Sequence, residues 1–229
     1  MNKQCGIKYG PSNYPRFSQC CGPDCQDVAH RCTLKFSVIT AVYNSAATVG
    51  DAINSVAQQT YPDLEHIIVE GKCKNGSLQA VERAGHDRMS VVSEPDSGIY
   101  DALNKGIARS SGDIVGFVHS DDFLAHEGVL SRVADALADP DVDAAFCDVD
   151  YFSKDTPSRV VRRWKSGKFR STQPRLVWMP PQPTLYVKRE VYERFGNFDT
   201  GFGITADYDF ILRYFSQTQP NAICIADVP

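Results

Sequence analysis

Two adjacent carboxylates, Asp121 and Asp122, follow an apolar run near the middle of the chain. That run, residues 114–118, is typical of a buried parallel strand. Open α/β sheets bind ligands beyond the carboxyl ends of their strands, which is where these acids would lie. Hard cations such as Mg²⁺ take one or two carboxylates together with substrate phosphates. The pair therefore predicts a divalent-metal site for a nucleotide diphosphate, and the alternative is a solvated turn.

Two more acidic residues lie in segments that are typical of ligand-binding or catalytic sites. Asp96 lies in an acid-Ser-Gly loop, residues 94–98, and Asp207 opens an acid-rich helix start. Asp207 stands, like the acidic pair, where a carboxylate could take part in chemistry. The simpler alternative is that it only caps its helix, because Asp is a preferred N-cap residue. The neighbouring Asp209 fits the solvated face or the positive end of the helix dipole.

Alternating strands and helices must position these acids. Apolar runs predict strands at residues 36–42, 66–70, 89–92, 114–118, 144–150 and 222–226. Helical periodicity and capping residues predict helices that start near residues 46, 77, 100, 128, 189 and 207. This order implies parallel pairing with right-handed crossovers. We expect an α/β fold with a doubly wound, mostly parallel sheet flanked by helices.

Composition narrows the class of protein. The 229 residues suffice for one large domain, and the net charge of −4 provides no overall basic field for nucleic acid. No apolar run approaches the roughly 20 residues that span a bilayer. The N-terminus is not followed by the apolar segment of a secretory signal. We therefore expect a cytoplasmic protein without a nucleic-acid partner.

The first part of the chain differs from the rest. Five of the eight cysteines precede residue 35, and their spacing fits no standard zinc pattern. The alternatives are a structural metal site and a poorly ordered leader rich in Gly, Pro, Ser and Asn. We predict that residues 1–34 are a poorly ordered leader and that residues 35–229 form one domain.

Four segments together carry a family resemblance that covers residues 35–229. The chain resembles the inverting family-two glycosyltransferases of the GT-A fold, which build bacterial surface polysaccharides. The matching segments are residues 37–44, 94–106, 120–122, and 198–199 with 206–209. The resemblance implies a nucleotide-sugar-binding half, residues 35–125, and an acceptor-side half, residues 126–229. It also implies a nucleotide-diphosphate sugar donor, UDP-linked by preference, and a saccharide or lipid-linked saccharide acceptor.

The resemblance assigns a role to individual residues. Asp122, with Asp121, would hold Mg²⁺ or Mn²⁺ against the diphosphate. Asp207 would be the catalytic base. The residues expected to bind the nucleotide sugar are Thr40, Val42, Asn44, Glu70, Asp96, Lys105 and Asp121. An acceptor carried by a lipid would place the protein peripherally at the inner membrane face.

Departures from the family pattern keep other functions open. The loop at residues 70–77 keeps Glu70 but replaces a second acid by Asn75 and adds two lysines, and the C-terminus suggests a truncated chain. These features favour, as the alternative, a catalytically impaired nucleotide-binding or scaffold protein. A nucleotidyltransferase is disfavoured because no Gly-rich basic loop follows the first strand.

Two features on the acceptor side have open interpretations. The basic residues between Arg159 and Arg170 are either a solvated face or a contact for diphosphate or anionic lipid headgroups. Gln182 and Trp178 could face the acceptor sugar, although Trp178 could equally belong to the core.

Overall fold

The structure is a computed structural model that describes residues 33–153, 159–167, 179–217 and 221–225. Contacts divide the chain into two units, Met1–Thr33 and Leu34–Pro229, and all that follows concerns the second unit. Residues 1–32 of the predicted leader, with its five cysteines, lie outside the described residues, as does Trp178. The boundary proposed at residue 125 stays a prediction.

Strands and helices alternate through the first two thirds of the described chain. The strands are β1 Phe36–Val42, β2 Leu64–Glu70, β3 Met89–Ser93, β4 Ile114–Phe117, β5 Ala144–Cys147, β6 Val149–Phe152, β7 Val160–Trp164, β8 Tyr186–Lys188 and β9 Ala222–Ile225. The helices are α1 Val49–Ala57, α2 Ser77–Ala84, α3 Ile99–Arg109, α4 Val129–Leu137, α5 Arg189–Phe195 and α6 Ala206–Gln217. Short 3₁₀ segments span Gln182–Thr184 and Thr200–Thr205. Every helix in the described ranges is too short or too polar to cross a bilayer.

Seven strands form one sheet in the order β3-β2-β1-β4-β8-β5-β9. Strands β1 to β4 pair in parallel, β5 pairs in parallel with β9, and β8 runs antiparallel to both its neighbours. Strands β6 and β7 form a separate antiparallel ribbon. The expected α/β fold with a mostly parallel sheet is confirmed.

The chain between residues 144 and 188 corrects the prediction from sequence. The single strand expected at residues 144–150 is two strands, because the chain leaves the main sheet at Asp148. The Asp148 carboxylate accepts a hydrogen bond from the backbone of Ser166 at 2.8 Å, which holds that break. Strands β7 and β8 were not predicted. Tyr186 of β8 packs over Gly116 of β4, where any Cβ would collide with its ring.

Hydrophobic clusters cover both faces of the sheet. Strand β1 is fully buried, and its apolar side chains are shared among three hydrophobic clusters on the two faces of the sheet. Ile39 faces α3 and α6, whereas Val38 faces α1 and α4. Gly106 lets α3 approach closely, because a Cβ at this position would overlap the Ile39 side chain. This packing holds the starts of α3 and α6 above the carboxyl-terminal edge of the parallel strands.

Candidate active site

Hydrogen bonds join three loops at the carboxyl-terminal edge of the sheet. The hydroxyl of Ser45, in the loop after β1, lies 2.7 Å from that of Ser120, in the loop after β4. The backbone N–H of Ser45 donates to the hydroxyl of Ser77, the first residue of α2, at 2.8 Å. The helix begins near residue 77 as expected, and its cap position is Gly76, at φ 87°. The edge is therefore a connected set of loops.

The acidic pair lies in a tight turn at this edge. Asp121 is exposed and Asp122 is half-buried, and the backbone N–H of Asp122 donates to the carbonyl of His119 at 3.0 Å. Burial raises the pKa of Asp122; nearby His119 lowers it and the charge of Asp121 raises it further. Within the described ranges, neither acid forms an ion pair with Lys or Arg. Two close carboxylates without a protein cation suit a divalent ion.

The pair does not form a complete metal-binding cage by itself. The described part of the chain holds no group of three or more His, Cys, Asp or Glu side chains able to bind a metal ion. Mg²⁺ and related ions commonly complete such a site with substrate phosphates and water. The donor set of Asp121 and Asp122 therefore fits an ion that arrives with a diphosphate.

His119 links the acidic turn to the segment before β8. Its Nε2 lies 2.7 Å from Oε1 of Gln182. Gln182 is 8% exposed, and both its Nε2 and the Nδ1 of His119 are buried without a hydrogen-bond partner among the residues that the structure describes. Unpartnered buried polar atoms are uncommon in folded proteins. Sequence analysis had associated Gln182 with the acceptor sugar, and the structure brings it next to the acidic turn.

Asp96 lies where β1 and β2 end. Its Oδ1 accepts a hydrogen bond from the backbone of Gly98 at 3.0 Å. Its carboxylate packs against Gly71, where a Cβ would collide with it, and the ring of Tyr43 borders the same position. The half-buried carboxylate is therefore held beside the loops that follow β1 and β2.

Glu70 ends β2 and is almost completely buried. Its carboxylate accepts hydrogen bonds from the hydroxyl of Ser93 and the backbone of Cys73, both at 2.6 Å. Burial raises the pKa of Glu70, but the bonds from Ser93 and Cys73 outweigh burial and lower the pKa below its ordinary value. Both carboxylate oxygens are thus engaged within the protein.

The side chains of Thr40 and Val42 are buried in the core. The hydroxyl of Thr40, fully buried, lies 3.0 Å from Nε2 of His66. The Val42 side chain belongs to a hydrophobic cluster with α1 and α2, and its carbonyl accepts from the backbone of Gly71 at 3.1 Å. In this structure only the backbone of Val42 reaches the loops at the sheet edge.

Cys73 joins the loops after β1 and β2. The backbone N–H of Asn44, an exposed residue with φ 52°, donates to the Cys73 sulfur at 3.1 Å. The thiol in turn lies 3.7 Å from the carbonyl of Val42, to which it donates. Sequence reasoning gave Cys73 no role, although its position in the atypical loop at residues 70–77 was a signal.

Lys105 is engaged within its own helix and the preceding loop. Its Nζ donates to the carbonyl of Pro95 at 2.6 Å and forms ion pairs with Asp101 at 3.1 Å and Glu94 at 3.8 Å. The structure therefore brings Lys105 together with these acids and not with the acidic turn after β4.

Asp207 is the second residue of α6 and is half-buried. Its Oδ1 accepts from the backbone of Tyr208 at 2.8 Å. The hydroxyl of Tyr100, at the start of α3, donates to the carbonyl of Ile204 at 3.2 Å and lies beside the Asp207 carboxylate. Burial and the adjacent charge of Asp207 raise the pKa of Tyr100 to about 12. Tyr100 stood in a motif noted from the sequence, which assigned it no role.

A cavity of about 260 Å³ opens between the start of α3 and the segment before α6. Asn104 holds these elements together, because its side chain both donates to the Phe198 carbonyl at 2.8 Å and accepts from the Phe198 N–H at 3.0 Å. The cavity is lined by Ser97, Gly98, Ile99, Tyr100, Asp101, Thr200, Gly203 and Ile204. Its lining residues include Ser97, which follows Asp96, and Ile204, three residues before Asp207.

Comparison with known families settles the class of protein. The family model for glycosyl transferase family 2 matches residues 37–203. The chain belongs to this family. The matched range includes the acidic pair and Asp96, and the resemblance stated from the sequence is confirmed.

Similar proteins share this family or fold. An uncharacterized glycosyltransferase of Mycobacterium tuberculosis is 28% identical over 195 residues, which are 82% of this chain and 71% of that protein. The mannosyltransferase PcManGT of Pyrobaculum calidifontis, solved with GDP-Man and Mn²⁺, has a TM-score of 0.67 at 24% identity. TarS of S. aureus, solved with UDP-GlcNAc, has a TM-score of 0.70 at 20% identity. Both matches cover 85% of this family-2 chain, which spans 55% and 56% of the two solved chains.

Proposed function

We propose that this chain transfers a sugar from a nucleotide-diphosphate sugar to an acceptor hydroxyl, with inversion at the anomeric carbon. One observation carries the proposal: the acids belong to segments that the fold gathers at one edge of the sheet. Asp96 precedes the start of α3, and Tyr100 in the first turn of that helix lies beside Asp207. The acidic turn at Asp122 is joined to the loop after β1 by hydrogen bonds.

The acidic pair would receive the donor. Asp121 and Asp122 would hold Mg²⁺ or Mn²⁺, and the bound ion would supply positive charge to the leaving diphosphate. The half-buried position of Asp122 excludes part of the water that would otherwise screen this charge. PcManGT was solved with GDP-Man and Mn²⁺ and TarS with UDP-GlcNAc, which supports a nucleotide-sugar donor. UDP is the nucleotide we propose for this chain.

Asp207 would act on the acceptor. It would take the proton of the attacking hydroxyl while the new bond forms to the anomeric carbon. The bond from that carbon to the diphosphate breaks on the opposite face, and the nucleoside diphosphate leaves with the electron pair. A single displacement of this kind inverts the configuration. Tyr100 would position the Asp207 carboxylate for this role.

The acceptor and the place of action are finer proposals. A saccharide or lipid-linked saccharide acceptor in surface-polysaccharide synthesis follows from the family resemblance. Work in the cytoplasm, peripherally at a membrane, would suit a lipid-linked acceptor.

A second candidate is a nucleotide-binding protein with impaired turnover. It is favoured by Glu70, whose two carboxylate oxygens already accept bonds from Ser93 and Cys73. A carboxylate engaged in this way has less capacity left for a nucleobase or ribose.

Donor turnover separates the two candidates. Purified protein is incubated with UDP- and GDP-sugars and Mn²⁺, and release of free nucleoside diphosphate is measured with and without saccharide acceptors. The proposal predicts release that stops on chelation of the metal and in Asp122→Asn. Binding of the nucleotide without release under any condition would favour the second candidate. Nuclear magnetic resonance of the product reports whether the anomeric configuration is inverted.

A further inference from the structure

The β6–β7 ribbon, Val149–Phe152 paired with Val160–Trp164, stands outside the seven-stranded sheet. Large apolar side chains are exposed at the strand ends nearest the connecting segment. Their exposed fractions are 40% for Tyr151, 38% for Phe152, 41% for Val160 and 57% for Val161. A cluster of exposed apolar residues marks a site of interaction more often than isolated exposed residues do.

Cations surround these apolar residues. Arg159, Arg162, Arg163 and Lys165 are all exposed, and Arg163 is held by Asp150 at 2.6 Å. Within the described ranges, Arg159 and Arg162 form no ion pair. The chain as a whole carries a net charge of −4, so the positive charge of the ribbon is local.

Aromatic rings hold one of these cations in place. The Arg162 guanidinium lies over the ring of Tyr151 at 5.5 Å and the ring of Trp164 at 5.6 Å. The three side chains share one face, since Tyr151 pairs with Arg162 across the ribbon. Tyr, Trp and Arg are the side chains that settle where an apolar phase meets a charged aqueous one.

The ribbon also touches the acidic turn of the candidate active site. Phe123 follows Asp122 directly and is 49% exposed. Its ring lies 5.4 Å from that of Phe152 on β6. The apolar end of the ribbon is therefore continuous with the loop that carries the proposed metal ligands.

We propose that the β6–β7 ribbon docks this protein onto an anionic lipid bilayer. Phe152, Val160 and Val161 enter the boundary between headgroups and acyl chains, while Arg159 and Arg162 contact lipid phosphates. Exposed aliphatic side chains gain little from a nucleic acid, whereas they are buried at the boundary between headgroups and acyl chains of a bilayer. Docking would bring the acidic turn to a membrane-borne acceptor; that consequence rests on the proposed function, whereas the docking itself does not.

Vesicle co-sedimentation without any donor tests the docking. The probes are vesicles of phosphatidylcholine alone and vesicles of equal parts phosphatidylcholine and phosphatidylglycerol. The test variants are Arg159→Glu with Arg162→Glu, and separately Phe152→Ser with Val161→Ser. The matched control is Lys74→Glu with Arg83→Glu, which makes the same charge change at exposed positions around α2. Circular dichroism and thermal melting check that every variant is folded.

We expect the unchanged protein to bind the anionic vesicles at least tenfold more tightly than neutral ones, and less tightly as salt rises. The arginine variant should lose at least tenfold in partitioning, the apolar variant severalfold, and the control should match the unchanged protein. Equal binding by the arginine variant and the control would overturn the proposal. So would failure of the folded protein to bind anionic vesicles, or tight binding of single-stranded RNA abolished by the arginine variant. Because no sugar nucleotide is present, these outcomes do not depend on turnover.

Discussion

The hydroxyl of Ser45 lies 2.7 Å from the hydroxyl of Ser120, the residue immediately before the acidic pair. This contact joins the loop after β1 to the loop after β4 across the sheet edge. Ser45 is itself held by Ser77 at the start of α2. The position of the acidic turn therefore depends on a residue far from it in sequence.

Ser45→Ala should weaken donor binding and lower the free energy of unfolding of the domain only slightly. The Ser45 hydroxyl lies 2.7 Å from the Ser120 hydroxyl and donates to the Tyr43 carbonyl at 3.0 Å, and each net hydrogen bond that is removed costs about 1 kcal/mol. We expect several-fold weaker nucleotide affinity by calorimetric titration, because the acidic turn loses its tie to the loop after β1. Ser110→Ala is the control, since it deletes a hydroxyl that, in the described part of the chain, bonds only the Ile107 carbonyl at the end of α3. Equal affinities for the two variants would contradict a positioning role for Ser45.

Asp207→Asn should lower kcat by roughly 10² to 10⁴, the usual contribution of a general base, with donor affinity unchanged. The matched control is Asp209→Asn, two residues along the same helix. Asp209 forms an ion pair with Arg213 at 2.8 Å, so its loss should affect stability slightly and turnover little. Steady-state kinetics under saturating donor separate the two. A similar fall in kcat for both variants would indicate damage to α6 instead of loss of a base.

Glu65 should make the fold sensitive to acid. Burial raises the pKa of Glu65, but hydrogen bonds from Ser37, Ser111 and Lys35 outweigh it and lower the pKa from 4.5 to about 2. The native state thus favours the charged carboxylate, and its stabilisation is complete above pH 4.5 and is lost as the pH falls to about 2. That shift corresponds to at most about 3 kcal/mol.

The measurement is urea unfolding of the protein and of Glu65→Gln across this pH range. Glu65→Gln should lower the free energy of unfolding at neutral pH, and the difference should shrink below pH 4.5. Glu193→Gln serves as the control, because its ion pair with Arg189 is on the surface and its side chain is 61% exposed. A deficit for Glu65→Gln that does not change with pH would contradict the assignment.

Gly106→Ala should destabilise the domain by about 1–3 kcal/mol, since the added methyl group meets Ile39 in a closely packed interface. Gly50→Ala is the matched control within another helix, α1, where a Cβ has nothing within 4 Å. That change should stabilise the domain by about 0.5–1 kcal/mol because Ala is the better helix former. Thermal melts that move in the same direction for both variants would contradict the packing argument.

The sequence pattern predicted those strands and helices whose residues follow a regular hydrophobic periodicity. Strand β1 has its expected bounds, and helices α3 and α5 begin within one residue of their expected starts, because buried strands and amphipathic helices are indicated by the residues nearest to them. The three-residue strand β8 carries no such signal. It forms because it fits between β4 and β5, and because Tyr186 fills the space left by Gly116.

The candidate site was predictable in part. Sequence motifs indicated four acids, and their segments lie at the carboxyl-terminal edge of the sheet. These acids are Asp96, Asp121, Asp122 and Asp207. The hydrogen-bond partners of the other candidate side chains could not be predicted from the sequence pattern. Thr40 bonds His66 on the neighbouring strand β2, and Glu70 accepts from Ser93 of β3. The ion pair of Lys105 was predictable from the sequence, because Asp101 precedes Lys105 by one helical turn.

Titration of the purified protein with UDP, with and without Mn²⁺, tests the central claim that the acidic turn is a metal-dependent nucleotide site. The same titration is made with Asp122→Asn and with the control Asp209→Asn, after thermal melts show that both are folded. We expect binding that requires Mn²⁺, is weakened at least tenfold by Asp122→Asn, and is unchanged by Asp209→Asn. UDP binding that is indifferent both to Mn²⁺ and to Asp122→Asn would contradict it.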